Sequence, residues 1–304
     1  MRGGADGGLL ARSGEKRVLH RRFFLAFVAA MLAVWGLGAP AALSQPSAPA
    51  AKPPAMAPDI KRILDRGKLI VAMTSFDVPP FFMTDANGRF YGLDVSLAEG
   101  IAKSLGVPVE YNRQGKSFND VVDIVIRGDA DMAISKLSLT MARAMKVRFS
   151  QPYLVLRHGL LVNRLDLAKM AKGKETVDVI KDYNGSIGVL AKSSFVDYAA
   201  EFFPKAKVVE YPNWEPALVS AVSRGEVPVA YRDELEVKKV IRGNPTAALN
   251  LRTILIDGTR DDIAIAVPWD SEQLLSIVNL YLSRQKPLTV NGLLDQYEEI
   301  FTKK

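Results

Sequence analysis

From about residue 59 onward the chain alternates between two hydrophobic periods, and it does so twice. "KLIVAM" reads as a strand, and Leu93, Leu97, Ile101 and Leu105 then recur every four residues as one face of a helix closed by Gly106. "VPVEY" alternates as a second strand, "FNDVVDIVIRG" reads as a helix ending at Gly128, and "DMAIS" follows as a strand. This order predicts a largely parallel sheet with helices on both faces. After Pro152 and Tyr153 the pattern restarts: strand "VLRHGLLVN", strand "SIGVL", a helix over 195–203, strand "KVVEY", a helix over 215–224 and strand "VPVAY". No fixed-period repeat accompanies it, so the expectation is two similar lobes rather than a solenoid. The last part, "DIAIAVPWD" followed by "SEQLLSIVNLYLSRQ", reads as one more strand and its covering helix.

The first 44 residues obey different rules. Arg2, Arg12, Lys16, Arg17, Arg21 and Arg22 precede an apolar run from Phe23 to Leu37 and the small residues of "GAPAALSQ". That is the order of a secretory signal peptide, with cleavage after Ser44 and a periplasmic destination. "RRFFL" resembles a twin-arginine export signal, and an uncleaved membrane anchor is the alternative. Removing these residues leaves 34 Lys and Arg against 31 Asp and Glu, a balance that gives no reason to expect nucleic acid as a partner. Residues 45–58 hold five prolines and read as an extended tether. The chain has no cysteine, which excludes disulfides, thiolate metal sites and a thiol nucleophile. Beyond the signal segment one histidine remains, His158, which sits between apolar neighbours in "LRHGLLV" and reads as structural or surface; it is too few for a histidine metal cluster and poorly placed for a Ser-His-Asp triad, and no cofactor is expected.

In parallel α/β sheets, ligands collect where strands end and helices begin, because free N–H groups point outward there. Ser138 and Thr140 follow the strand "DMAIS", and Arg143 lies one turn further on, where a guanidinium can grip a carboxylate. Arg143, Lys146 and Arg148 also fit an ordinary solvated basic face. Ser193 and Ser194 precede a helix and are either simple caps or donors to an anion. Asp233 ends "VPVAY-RD" and is either a turn aspartate or an acceptor for an ammonium group.

Five stretches together resemble the periplasmic solute-binding proteins of family 3, which capture polar amino acids for ABC transporters. They are "GLDVSLAEGIAKSLG" (92–106), "RGDADMAISKLSLTMARAMKVRFSQPY" (127–153), "GSIGVLAKSSFVDYAAEFF" (185–203), "ALVSAVSRGEVPVAYRDE" (217–234) and "DIAIAVPWDSEQLL" (262–275), in the family's order. The resemblance implies a two-lobe α/β flytrap with mixed, mostly parallel sheets and two hinge strands. Residues 59–156 plus 262–304 would form lobe one and 157–261 lobe two. It further implies a monomeric, non-enzymatic receptor whose partners are a small-molecule ligand, an amino acid or related carboxylate, and an ABC-type membrane permease. Arg143 of the T-x-x-R element, with Ser138, would hold the ligand's α-carboxylate; Ser193 and Ser194 would complete that clamp, and Asp233 would receive the α-ammonium.

The chain departs from the family pattern in three places. Ser75 and Val78 stand where an acidic residue and an aromatic are usual, with Phe76, Asp77 and Phe82 as the residues that would compensate and Phe76 or Phe82 covering the ligand's apolar part, unless "PPFF" belongs to the core. Lys136 replaces a small residue; it either faces the cleft and pairs with a second ligand carboxylate or points outward. Two other functions stay open on the same fold: an arogenate or prephenate dehydratase-like enzyme, for which Glu234 and Lys136 are the candidate acids, and a ligand-sensing accessory module for a membrane partner.

Overall fold

The computed structural model describes residues 56–173 and 176–299. The signal segment and nearly all of the tether lie outside them. Pro58, counted with the tether above, is the first residue of α1 (Pro58–Arg66), where proline's missing N–H leaves nothing unsatisfied. Strand β1 (Leu69–Thr74) follows, then a small antiparallel ribbon of β2 (Met83–Thr84) and β3 (Phe90–Tyr91). Helix α2 (Leu93–Leu105), strand β4 (Val109–Gly115), helix α3 (Phe118–Ile126) and strand β5 (Met132–Ala133) continue the alternation. A single helical turn α4 (Met141–Ala144) and strand β6 (Arg148–Phe149) complete the first pass. The first sheet has the order β4–β1–β5–β12–β6, with β12 (Ala266–Val267) arriving from the far end of the chain. Its core buries Val71, Met73, Phe81, Phe82, Val121, Ile134 and Leu137 completely, so "PPFF" is core packing and Phe82 is no substitute for an aromatic facing a ligand.

The second sheet has the order β11–β7–β10–β8–β9, from β7 (Leu154–Asn163), β8 (Ser186–Leu190), β9 (Lys207–Tyr211), β10 (Val229–Asp233) and β11 (Leu251–Ile263). Helices α5 (Arg164–Ala171), α6 (Thr176–Lys181), α7 (Ser194–Phe202), α8 (Val219–Ser223) and α9 (Glu234–Gly243) connect them. Helix α8 begins later than the periodicity predicts. Pro216 keeps Glu215 extended, and a wide turn over Trp214–Leu218 precedes the helix. The chain closes with α10 (Glu272–Ser283) and α11 (Val290–Gln296). His158 sits fully buried among Phe195, Tyr198, Phe202 and Tyr231, a structural position.

The sheets are more mixed than the alternation predicts. β1 pairs in parallel with β4 and β5, and β8 with β9 and β10, but β7, β11 and β12 run antiparallel to their neighbours. The reason is the long strand β11, which "LRTILIDGTRDDI" conceals because its charged, glycine-containing middle interrupts the alternation. β11 returns alongside β7, and its last residues reach the first sheet: Ile263 accepts from the Tyr153 backbone and bridges to Ser138.

Gly92 opens α2 with φ +134° and ψ −177°, a conformation open to glycine alone, and a Cβ there would lie 2.4 Å from the Phe81 carbonyl oxygen. That oxygen already accepts the Asp94 N–H. Gly92→Ala is expected to cost about 1–3 kcal/mol or more in strain. A thermal melt should fall by about 2–4 °C for each kcal/mol lost, and an unchanged melt would contradict this account of the turn.

Candidate ligand-binding site

The two sheets meet across a closed pocket lined by Phe118, Lys136, Ser138, Arg143, Ser194, Phe195, Arg232, Asp233 and Asp261. Three of these side chains owe their place to an element's end or cap. Thr140 caps α4 by accepting the Arg143 N–H at 3.3 Å, which orients Arg143 inward from a turn only four residues long. Asp233 ends β10 and caps α9, its Oδ1 accepting the Glu236 N–H at 3.2 Å. Ser194 opens α7 and donates across the sheets to Ser138 Oγ at 2.8 Å.

Arg143 is buried, and its contacts are neutral. Nη1 donates to the Ser138 carbonyl at 3.0 Å, while Nε and Nη2 share Asn119 Oδ1 at 3.3 and 3.0 Å. No carboxylate within ion-pair distance of it is found among the described residues. Burial lowers its tendency to hold the proton, with Asp261, Tyr198 and Asp197 opposing. A guanidinium in that state gains from any carboxylate that reaches it. On its other side Arg143 faces an open groove lined by Asn119, Asp120, Asp123, Lys146, Lys192 and Asp197.

Lys136 points inward, and its partners belong to the protein. Its Nζ donates to Asp233 Oδ2 and to Glu236 Oε1, each at 2.8 Å, with side-chain exposures of 2% for Lys136, 1% for Asp233 and 7% for Glu236. Of the two readings of Lys136 the structure has the inward one, and the carboxylates it meets are the protein's own, from the end of β10 and from α9. Burial pushes the Glu236 carboxyl up, but Lys136, Lys239 and Arg232 together hold it below the usual range. The Lys136 backbone is fixed as well. It adopts φ +47°, and its N–H donates to Asp94 Oδ2 at 2.8 Å, while Tyr153 donates to Asp94 Oδ1 at 2.8 Å.

Four further residues were not singled out as ligand-contacting in the sequence. Arg232 lies between the rings of Phe118 and Phe195, 5.4 Å from each centroid, and its Nε has no hydrogen-bond partner. Asp261 is fully buried and accepts from Tyr198 Oη at 3.2 Å, with its second oxygen unpartnered. Burial and then Asp233 push its carboxyl up to about 6. The remaining predicted residues stand apart. Ser193 donates to the Leu190 carbonyl and accepts the Phe195 N–H, so it is a helix cap. Ser75 is exposed, and Phe76, 41% exposed, rests edge-on against Phe118 at 5.9 Å.

A family model for bacterial extracellular solute-binding proteins, family 3, matches residues 69–299. A "Probable histidine-binding protein" of Neisseria gonorrhoeae is 24% identical over 244 residues, 78% of this chain and 83% of that one. A cyclohexadienyl dehydratase of Pseudomonas aeruginosa is 33% identical over 191 residues, 61% of this chain and 66% of that one. Among solved structures, an amino-acid ABC-transporter substrate-binding protein of Streptococcus pneumoniae bound to L-arginine superposes with a TM-score of 0.61. It is 26% identical, covering 79% of this chain and 97% of that one.

Asp94 gives the site a pH dependence. Burial pushes its carboxyl up to about 7, against the Tyr153 hydroxyl, the Lys136 N–H and the Lys136 charge. Between the unfolded carboxyl value near 3.8 and about 7, the folded state holds a proton that the unfolded state has lost. The stabilisation is complete below that window and is lost as the pH rises through it, at up to about 1.4 kcal/mol per pH unit. Asp94→Asn removes this contribution, so the difference in denaturation free energy between variant and wild type should move in the variant's favour from pH 4.5 to 7.5. A difference that stays constant would refute it.

Proposed function

This chain belongs to the bacterial extracellular solute-binding proteins of family 3, and on that premise we propose that it is a non-enzymatic receptor, closing two lobes on a small amino acid or related carboxylate and presenting it to an ABC-type membrane permease. The observation that carries this is Arg143, a buried guanidinium held by neutral oxygens beside a pocket, which a carboxylate completes. Ser138 and Ser194 would add hydroxyls to that clamp, and Asp233 and Lys136 stand in the same lining. Residues 59–156 with 262–304 would move as one lobe and 157–261 as the other, with bending where Leu154–Leu156 pairs with Asp261–Ile263. Export by residues 1–44 would put a monomeric receptor in the periplasm.

The dehydratase relative gives the enzymatic reading a specific basis. Such a reaction needs a positioned acid. Burial raises the Glu234 carboxyl, yet its hydrogen bonds to Arg157 and Lys238 hold it below the usual carboxylate range. Lys136 is engaged by two carboxylates. Both are held in ion pairs, so the enzymatic reading would have to rest on Asp261, the pocket carboxyl pushed up to about 6, and conversion of a bound ligand is what separates it from the receptor.

A thermal-shift screen against amino acids, their amides and small carboxylates should raise the melting temperature for one chemical group, with the ligand recovered unchanged. A flat screen after unfolding and refolding would defeat the proposal, and conversion of the ligand would favour the enzyme. Arg143→Ala should weaken binding at least 100-fold, about 3 kcal/mol, with an unaltered circular-dichroism spectrum. Full affinity in that variant would remove Arg143 from the site.

A further inference from the structure

We propose that the solute is a carboxylate whose neighbouring carbon bears an uncharged oxygen, a 2-hydroxy or 2-oxo acid, and that Lys136 takes the place an amino acid's ammonium would fill. The inference rests on the receptor reading above and narrows its ligand. Asp233 is the acceptor that an α-ammonium would seek, and Lys136 already holds its Oδ2 at 2.8 Å while Glu236 N–H holds its Oδ1. The lysine is not free to leave. Its backbone N–H is tied to Asp94, its ammonium lies 5.3 Å from the Phe81 ring centroid, and Glu236 shares its charge with Lys136 and Lys239.

Charge points the same way. Lys136, Arg143 and Arg232 line the pocket against Asp233 and Asp261, so the lining carries more cations than carboxylates. An incoming ammonium would add a cation beside Lys136, whereas an anion with no ammonium meets an unfilled guanidinium. The unpartnered atoms fit an uncharged oxygen. Arg232 Nε needs an acceptor and Asp261 Oδ2 needs a donor, and both residues line the pocket. An oxo group can accept, and a hydroxyl can do both; an ammonium can only donate.

The test is calorimetric titration of the full chain, stripped of bound solute by unfolding and refolding, with matched trios. These are lactate, pyruvate and alanine; phenyllactate, phenylpyruvate and phenylalanine; and 2-hydroxyglutarate, 2-oxoglutarate and glutamate. In the trio that binds, an oxygen acid should exceed its amino acid at least tenfold. Lys136→Met with Glu236→Gln frees Asp233 and should shift that preference at least tenfold toward the amino acid. In the otherwise unaltered chain, Asp233→Asn should weaken all three members by the same factor. An amino acid that binds tightest and is selectively lost on Asp233→Asn would overturn the proposal, as would a double variant that folds with its preference unmoved. If no trio member binds but another solute does, the ligand class is wrong and the receptor survives; if nothing binds, both fall.

Discussion

Charged groups withdrawn from water must find opposite charges, and this molecule meets that demand across its two sheets. Lys136 from the first sheet's side reaches Asp233 and Glu236 on β10 and α9, all three nearly inaccessible to solvent. Breaking a buried pair by removing one member costs about 3–5 kcal/mol, although the intact pair contributes far less net stability once desolvation is counted. The contact therefore acts more on geometry than on stability. It fixes how α9 sits against the loop after β5, with Lys239 adding a bond to the Pro79 carbonyl. Arg143 differs because its hydrogen-bond partners are neutral oxygens, so its charge is not matched by an ion pair among the described residues.

The layer behind the pocket explains how a lysine can be held so firmly. Gly92 lets α2 start against the Phe81 carbonyl, and that start aims Asp94 at the Lys136 N–H and at Tyr153. Asp94 accepts two hydrogen bonds while fully buried, so the positive-φ turn at Lys136 is maintained by a carboxyl that is itself screened from water. Loss of any one of these contacts would loosen Lys136, and with it that part of the pocket wall, from a layer that does not itself line the pocket.

Much of this was legible in the sequence, and the limits have physical causes. The strands and helices that carry the first sheet follow from their periods, and the inward placing of Arg143 and Asp233 follows from motifs in which the residue lies at or beside a helix cap. The partners of Lys136 lie 97 and 100 residues away, and no local spacing encodes such a contact. Arg232 and Asp261 were obscured because each adjoins other charged residues: no local spacing says that Arg232 and Asp233 both turn into the pocket, or that Asp261 is buried while Arg260 is exposed. Ser193 and Ser194 make the same point: the first spends its hydroxyl on Leu190 and the second reaches Ser138. β11 went unread because its charged and glycine-containing middle, Asp257 to Asp262, interrupts the alternation where the register with β7 shifts.

The pairing of Leu154 with Ile263 brings together the points where the chain leaves the first sheet and where it returns. Everything between them, more than a hundred residues with their own apolar clusters, hangs from two adjacent strands. Such an arrangement is modular: the segment resembles a cassette spliced into a host at a single seam. A change within it needs to respect only that seam and the facing pocket wall, so one half of the pocket can be remodelled with the other left intact.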